Sequence, residues 1–121
     1  MANPSDFNIK YRERTKKFAV EIIKFYSKYC KNGDELRILG KQMLRSGTSV
    51  AANFRAFTRG RSEAEKYSKL CIVVEEADET QFWLELMIES GLIISDTTTQ
   101  ITNEINELVR IFTTTKAKMK P

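Results

Sequence analysis

Four carboxylates, Glu75, Glu76, Asp78 and Glu79, crowd into little more than one helical turn and are the side chains with the most obvious capacity for chemistry. Paired carboxylates can shuttle protons or hold Mg²⁺. Such work needs companions, and the sequence offers no histidine, no glycine-rich loop and no second ligand cluster to complete a site. The two cysteines, Cys30 and Cys71, lie far apart without a CxxC partner, which argues against zinc and thiol–imidazole chemistry and fits reduced thiols in a cytoplasmic protein. The acidic turn is therefore read as structural. Some of its members face water, and one, Glu76, pairs with Arg45 or accepts a hydrogen bond from Asn53, fixing the register of two helices. A small metal-dependent enzyme using the turn from Glu75 to Glu79 is the alternative.

The second chemical pattern is basic. On a helix, Arg37, Lys41, Arg55 and Arg59 fall within about 40° of one another, with Thr48 and Ala52 between them and Arg45 just beyond. At about 1.5 Å per residue the row spans about 30 Å, enough to meet several successive phosphates of a nucleic-acid backbone. The same row could be a solvated helix face, or a surface that meets an acidic helix of another chain. Residues 1–61 hold 14 Lys/Arg and 5 Asp/Glu, and the remainder holds 6 and 11, so the two halves of the chain carry opposite net charge. Such polarity attracts a polyanion or draws subunits together. No aromatic residues interleave with the row for base stacking, so any nucleic acid held there is read by shape and charge rather than by sequence.

These residues need helices to position them. The first ten residues lack periodicity and are read as a flexible N-terminal arm. A first helix is expected from Tyr11 to Tyr29, with Phe18, Ala19, Ile22, Phe25, Tyr26 and Tyr29 inward, ended by Asn32-Gly33. Asp34 is placed to cap a second helix running from Glu35 to Arg59, whose seam is Leu36, Leu39, Met43, Ser46, Val50, Asn53 and Phe57. Small residues crowd its middle (Gly47, Ser49, Ala51, Ala52, Ala56) at a cost in helix propensity, and this predicts that a neighbouring helix approaches closely there. Ser62 and Glu65 form a capping box for a third helix ending near Ser90, where Gly91 supplies a left-handed turn and Leu92 or Ile93 packs back. Ser95 or Asp96 caps a fourth helix with the seam Ile101, Ile105, Leu108 and Phe112, and its threonine runs make it the first to fray.

The third helix is apolar on two sides. Leu70, Val73, Val74, Ala77, Leu84 and Ile88 point into the bundle, whereas Ile72, Phe82, Trp83 and Leu86 point roughly the opposite way. A helix of a four-helix monomer rarely buries both sides, and Trp and Phe anchor interfaces, so the second set is expected to meet another subunit.

The run from Leu39 to Ile93 closely resembles the bacterial four-helix-bundle family known from proteins encoded in intervening sequences of 23S rRNA genes. Three motifs carry the resemblance: RSG-TS-V-AN at Arg45 to Asn53, R-RS at Arg59 to Ser62, and EEADE followed by WLEL at Glu75 to Leu86. The chain departs from many members in having Ala51 where they carry proline, and Ala56-Phe57 where they carry an acidic-glycine pair. The resemblance implies an up-down bundle, often pentameric, of poorly defined activity, with relatives in diversity-generating retroelements that bind nucleic acid and a reverse transcriptase.

Together these readings describe a single all-α domain, an up-down-up-down four-helix bundle over residues 11–118. It is expected to be a cytoplasmic, non-enzymatic homo-oligomer, pentameric by resemblance, without cofactor, metal or membrane partner. Structured RNA or DNA is its expected partner at Arg37, Lys41, Arg45, Arg55 and Arg59. The rival reading is a scaffold in which those residues engage acidic groups of another protein.

Overall fold

A computed structural model describes residues 4–119, and among them there are helices and connecting turns but no strand. The elements are α1 (Pro4–Tyr29), α2 (Asp34–Thr58), α3 (Glu63–Glu89), a 3-10 turn (Ser95–Thr98) and α4 (Thr99–Ala117). Contacts between named residues show that consecutive helices run antiparallel. Gly47 of α2 meets Ile22 of α1 while Gly40 meets Tyr26 and Cys30. Arg45 and Ser46 meet Glu79 and Thr80 of α3, and Gln81 meets Asn106 of α4. The result is the expected up-down-up-down bundle.

α1 starts earlier than its periodicity predicted. Pro4, whose fixed φ suits a first helical turn, opens it, and Asp6 lies in the same turn where a carboxylate favours the positive helix end. Phe7 is the reason for the extension. Its ring lies 4.7 Å from that of Tyr11 and 6.1 Å from that of Phe54, so residues 4–10 belong to a packed helix rather than to an arm. Residues 1–3 of the expected arm lie outside the described residues. Tyr11, Phe54 and Phe112 continue this aromatic layer, with rings 5.7 Å apart for Tyr11–Phe112 and 5.1 Å for Phe54–Phe112. The middle of the core is aliphatic, built on Ile22, Met43, Val50, Val73, Leu84, Ile105 and Leu108, all buried.

The helix ends differ in detail from the sequence reading. Gly33, with φ of 95°, is the residue before α2, and Asp34 already lies within the first turn, where its carboxylate pairs with Arg37 instead of capping. Ser62 Oγ accepts from the Glu65 N–H at 3.1 Å as expected, but the Glu65 carboxylate accepts from the Arg61 N–H, at 3.3 Å, and not from Ser62. Gly91 takes the left-handed conformation (φ 78°), the Ile93 N–H donates to the Met87 carbonyl at 3.1 Å, and Ile93 is buried. Ahead of α4 no side chain caps the helix; Ser95 and Asp96 fall in the 3-10 turn.

α2 is the helix through which the bundle is joined, since it packs closely on both α1 and α3, whereas α1 and α4 touch only lightly. Its buried stripe is Leu36, Gly40, Met43, Ser46, Gly47, Val50, Phe54 and Phe57. Leu39 and Asn53, assigned to the seam from spacing, are half-buried at its edge, and Gly40, Gly47 and Phe54 replace them. A methyl group added at Gly47 would lie 3.1 Å from both Cγ1 and Cγ2 of Ile22. At Gly40 it would lie 2.6 Å from Cys30 Cβ. The closest approach is thus about two helical turns earlier than the small-residue cluster suggested. On the other side, the buried hydroxyls of Ser46 and Thr80 hydrogen-bond across α2 and α3 at 2.8 Å.

Gly40→Ala is expected to destabilise the fold by about 1–3 kcal/mol through overpacking, even though alanine gains about 1 kcal/mol over glycine in a helix interior. Gly47→Ala is expected to lose less than Gly40→Ala, because the added methyl meets Ile22 at 3.1 Å rather than Cys30 at 2.6 Å, while Gly47→Leu loses about 1–3 kcal/mol. Urea denaturation decides this, and a Gly40→Ala variant as stable as the parent would show that the two helices are free to separate.

Candidate nucleic-acid interface

The outward side of α2 carries all five basic residues singled out from sequence, and all five are exposed. They are not equivalent. Arg37 pairs with the Asp34 carboxylate and donates to the Lys31 carbonyl at 3.3 Å. Arg45 donates to Glu79 Oε2 at 2.7 Å and stands 3.4 Å from Glu76 Oε2, so its charge is shared with α3. Lys41, Arg55 and Arg59 form no ion pair among the described residues.

Arg55 and Arg59 stand on one wall of a groove of about 550 Å³ between α1 and α2. Arg12, Glu13 and Lys16 of α1 line the other wall, and Ala51 and Ala52 line the space between. Each helix contributes two cations one turn apart, about 6 Å along its axis. The lack of side-chain bulk at Ala51 and Ala52 keeps the groove open. Arg12 and Lys16 were missed in the sequence, where their i,i+4 spacing was visible but their rotation toward α2 was not. Lys41, further along α2, does not line this groove.

The fold also rearranges the charge asymmetry. Antiparallel packing brings the start of α1, the end of α2, the start of α3 and the end of α4 to one end of the bundle. Residues 6–17, 54–69 and 107–119, which make up that end, hold 13 Lys/Arg against 5 Asp/Glu, whereas residues 18–53 and 70–106 hold 6 against 11. The polarity therefore runs along the bundle axis, and the α1–α2 groove lies at the basic end.

A second groove, of about 710 Å³, opens between α1 and α4. Arg14 closes part of it by a two-pronged bond to Glu104, 2.7 and 2.8 Å, with Glu107 at 2.9 Å. The two carboxylates hold the Arg14 proton more tightly than usual, with Glu104 the larger contributor, and Arg14 in turn draws Glu107 below the ordinary carboxylate range. Lys17 and Glu21 also line this groove, so its charges are mixed and it presents no sustained attraction to an anion.

The acidic turn of α3 divides by direction. Glu75 and Asp78 face water, while Glu76 and Glu79 turn to Arg45. The Arg45–Glu76 pairing expected from sequence is present, with Glu79 the nearer partner. Asn53 does not reach Glu76; its amide donates to Ser49 carbonyl and Oγ at 3.0 and 2.9 Å. Burial pushes the Glu76 carboxyl up, against the pull of Arg45, whereas the Arg45 hydrogen bond holds Glu79 down. No group of three or more His, Cys, Asp or Glu is placed to hold a metal ion among the described residues. Cys30 is buried, and its thiol is pushed up to about 11, which leaves it unreactive at neutral pH.

Of the apolar residues assigned to the outer side of α3, Phe82 stands 48% exposed, with its ring 5.1 Å from Trp83. Trp83 is half-buried against the core margin and its indole N–H donates to Glu79 Oε1 at 3.3 Å. Ile72 and Leu86 are half-buried. Ile38 of α2, not singled out from sequence, is 61% exposed.

A sequence model of a family described as 23S rRNA-intervening sequence protein matches residues 8–114. Among solved structures, the chain is similar to a protein of unknown function from the S23 ribosomal protein family of Bacteroides thetaiotaomicron. The two are 33% identical with a TM-score of 0.81, over 92% of this chain and 98% of that one. No curated protein matches the chain.

Opposite shifts at Glu76 and Glu79 give opposite pH behaviour. Glu79, held below its ordinary value, contributes stability that is present at neutral pH and is lost as pH falls through its folded pKa. Glu76, held above its ordinary value, favours folding while protonated and loses that contribution as pH rises through the carboxylate range. Glu79→Gln is expected to lower stability at pH 7 by at most about 1 kcal/mol, because the pair is partly exposed, with the deficit closing toward pH 3. Glu76→Gln should show no deficit at pH 7. Thermal melts across pH 3–8 check this, and an equal loss in both variants would contradict it.

Proposed function

The chain belongs to the family of 23S rRNA-intervening sequence proteins, and we propose that it is a non-enzymatic homo-oligomeric module that holds nucleic acid in the groove between α1 and α2. The observation that carries this reading is the facing pair of cation rows, Arg12 and Lys16 against Arg55 and Arg59, across a floor without bulk. None of the four is engaged by a carboxylate among the described residues, unlike Arg14, Arg37 and Arg45. Cations left unneutralised at one end of a bundle repel each other, and a phosphate backbone relieves that repulsion while releasing its own counterions. Arg37, Lys41 and Arg45 lie further along α2, outside the groove, and contribute less. Assembly into a ring, a pentamer by family resemblance, would multiply such grooves. The exposed Phe82, backed by Trp83, is the apolar surface that supports self-association.

Affinity for RNA or DNA should fall linearly with salt on logarithmic axes, with a slope of about 0.7–0.9 per phosphate neutralised. Arg55→Gln with Arg59→Gln should flatten that slope by about one to two units per subunit engaged and weaken all sequences alike. Arg37→Gln, whose guanidinium is already paired with Asp34, should change it less. The scaffold reading, in which these arginines engage an acidic protein, predicts no binding at about 50 mM salt or binding indifferent to Arg55 and Arg59.

Phe82→Lys should release smaller species in light scattering while leaving helicity intact, since Phe82 contributes little to the core of one chain. A wild-type monomer at micromolar concentration, or an unchanged oligomer in the variant, would contradict the assembly.

A further inference from the structure

Resting on the nucleic-acid reading above, we propose that the α1–α2 groove is a site for the backbone of double-stranded RNA. In it Arg12, Lys16, Arg55 and Arg59 take phosphates, and Glu13 accepts a hydrogen bond from a ribose 2′-hydroxyl.

The first support is the absence of a stacking surface. No aromatic side chain lines the groove among the described residues. The rings nearest to it in sequence, Tyr11, Phe54 and Phe57, are buried in the core. Proteins that hold single strands without sequence preference stack the unpaired bases on exposed aromatic rings. This groove offers unpaired bases an alanine floor, so its attraction is for phosphates whose bases are already paired. Two cation rows, each with members about 6 Å apart along its helix, can bracket one phosphate ridge of a duplex.

The second support is Glu13. It is the one carboxylate among the groove-lining residues, it is exposed, and no ion pair or side-chain hydrogen bond ties it to another described residue. Against a DNA backbone, which presents only anionic and neutral acceptors, a carboxylate in this position repels. RNA differs from DNA in carrying a 2′-hydroxyl, a hydrogen-bond donor, and A-form duplexes display those hydroxyls across a wide, shallow minor groove. A carboxylate accepting from a hydroxyl turns the repulsion into a preference for ribose. Glu13 is thus a specificity-determining residue, and the four cations supply affinity.

The test uses the full chain and three fluorescent oligonucleotides of one sequence: duplex RNA, duplex DNA and single-stranded RNA, compared by anisotropy at about 100 mM salt. Duplex RNA should bind about tenfold tighter than duplex DNA, the worth of one charge-assisted hydrogen bond, and tighter than single-stranded RNA, whose unpaired bases find no stacking surface. Arg12→Gln with Lys16→Gln should weaken duplex RNA by about tenfold or more, through loss of two phosphate contacts. Glu13→Ala should close the gap by strengthening duplex DNA and weakening duplex RNA, with the circular dichroism spectrum of every variant matching the parent. Single-stranded RNA binding as tightly as the duplex would overturn the duplex assignment. Equal affinity of the parent for RNA and DNA duplexes, or a gap unchanged by Glu13→Ala, would overturn the ribose assignment. In those cases salt-sensitive binding that depends on Arg55 and Arg59 leaves the broader nucleic-acid reading standing, whereas no binding to any of the three removes both.

Discussion

Two glycines on α2 set how closely the first two helices approach, and the groove depends on that spacing. At Gly40 the backbone of α2 lies against Cys30, and at Gly47 it lies against Ile22, with no room at the first for even a methyl group. Glycine inside a helix costs about 1 kcal/mol relative to alanine, so two of them weaken α2 locally while bringing α1 close. Beyond this contact the same helix pair continues to the other end of the bundle, where Ala51 and Ala52 replace glycine and the surface opens into a groove. Close approach at one place and small side chains at the next thus leave two walls near enough to act together and a floor low enough to admit a ligand.

Charge placement follows from the same antiparallel packing. Acidic residues concentrate in the middle and distal parts of α3 and at the start of α4, and among the described residues four arginines are drawn to carboxylates: Arg14 to Glu104 and Glu107, Arg37 to Asp34, Arg45 to Glu76 and Glu79, and Arg61 to Glu65. These pairs are partly exposed and each adds little stability by itself. Their larger effect is to divide the cations into those already neutralised and those that are not. The second group includes the groove residues Arg12, Lys16, Arg55 and Arg59, at the end where basic residues outnumber acidic ones. Polar contacts also set the register of α2 on α3, where the buried Ser46–Thr80 hydrogen bond and the Arg45 pairs act at the same level of the bundle.

Much of this was legible in the sequence, and the misses have physical causes. Periodicity of 3.6 revealed four helices and most of their buried faces, because a core-facing stripe must repeat whatever the partner. It failed at the start of α1, where half-buried Phe7 and buried Tyr11 supply two core-facing positions one turn apart, too short a run to stand out from Asn3, Pro4 and Ser5. Spacing placed Gly47 among the small residues of α2 but gave Gly40 no part in the close approach, because closeness depends on what the facing helix presents, here the Cys30 Cβ at one glycine and the γ carbons of Ile22 at the other. The basic row on α2 was visible as a row. Its division into paired and unpaired members was not, since that depends on which carboxylates of α3 and of the preceding turn come within reach. Half of the groove, Arg12 and Lys16, lies on another helix, and a single-helix projection carries no information about rotation between helices. Trp83 likewise faces outward on a projection, yet it is half-buried against the core margin, with its indole N–H on Glu79.

The central claim is that ligand phosphates meet the α1–α2 groove rather than the whole basic row of α2, and lysine footprinting tests it most directly. Lys16 lines the groove, whereas Lys41 lies on the same outward surface of α2 but outside it, and both are exposed and free of ion pairs among the described residues. Acetylation of the full chain with and without saturating duplex RNA, read by mass spectrometry, should show Lys16 protected by the RNA and Lys41 modified to the same extent in both. Protection of Lys41 with Lys16 left reactive would contradict the groove and return the contact surface to the α2 row alone.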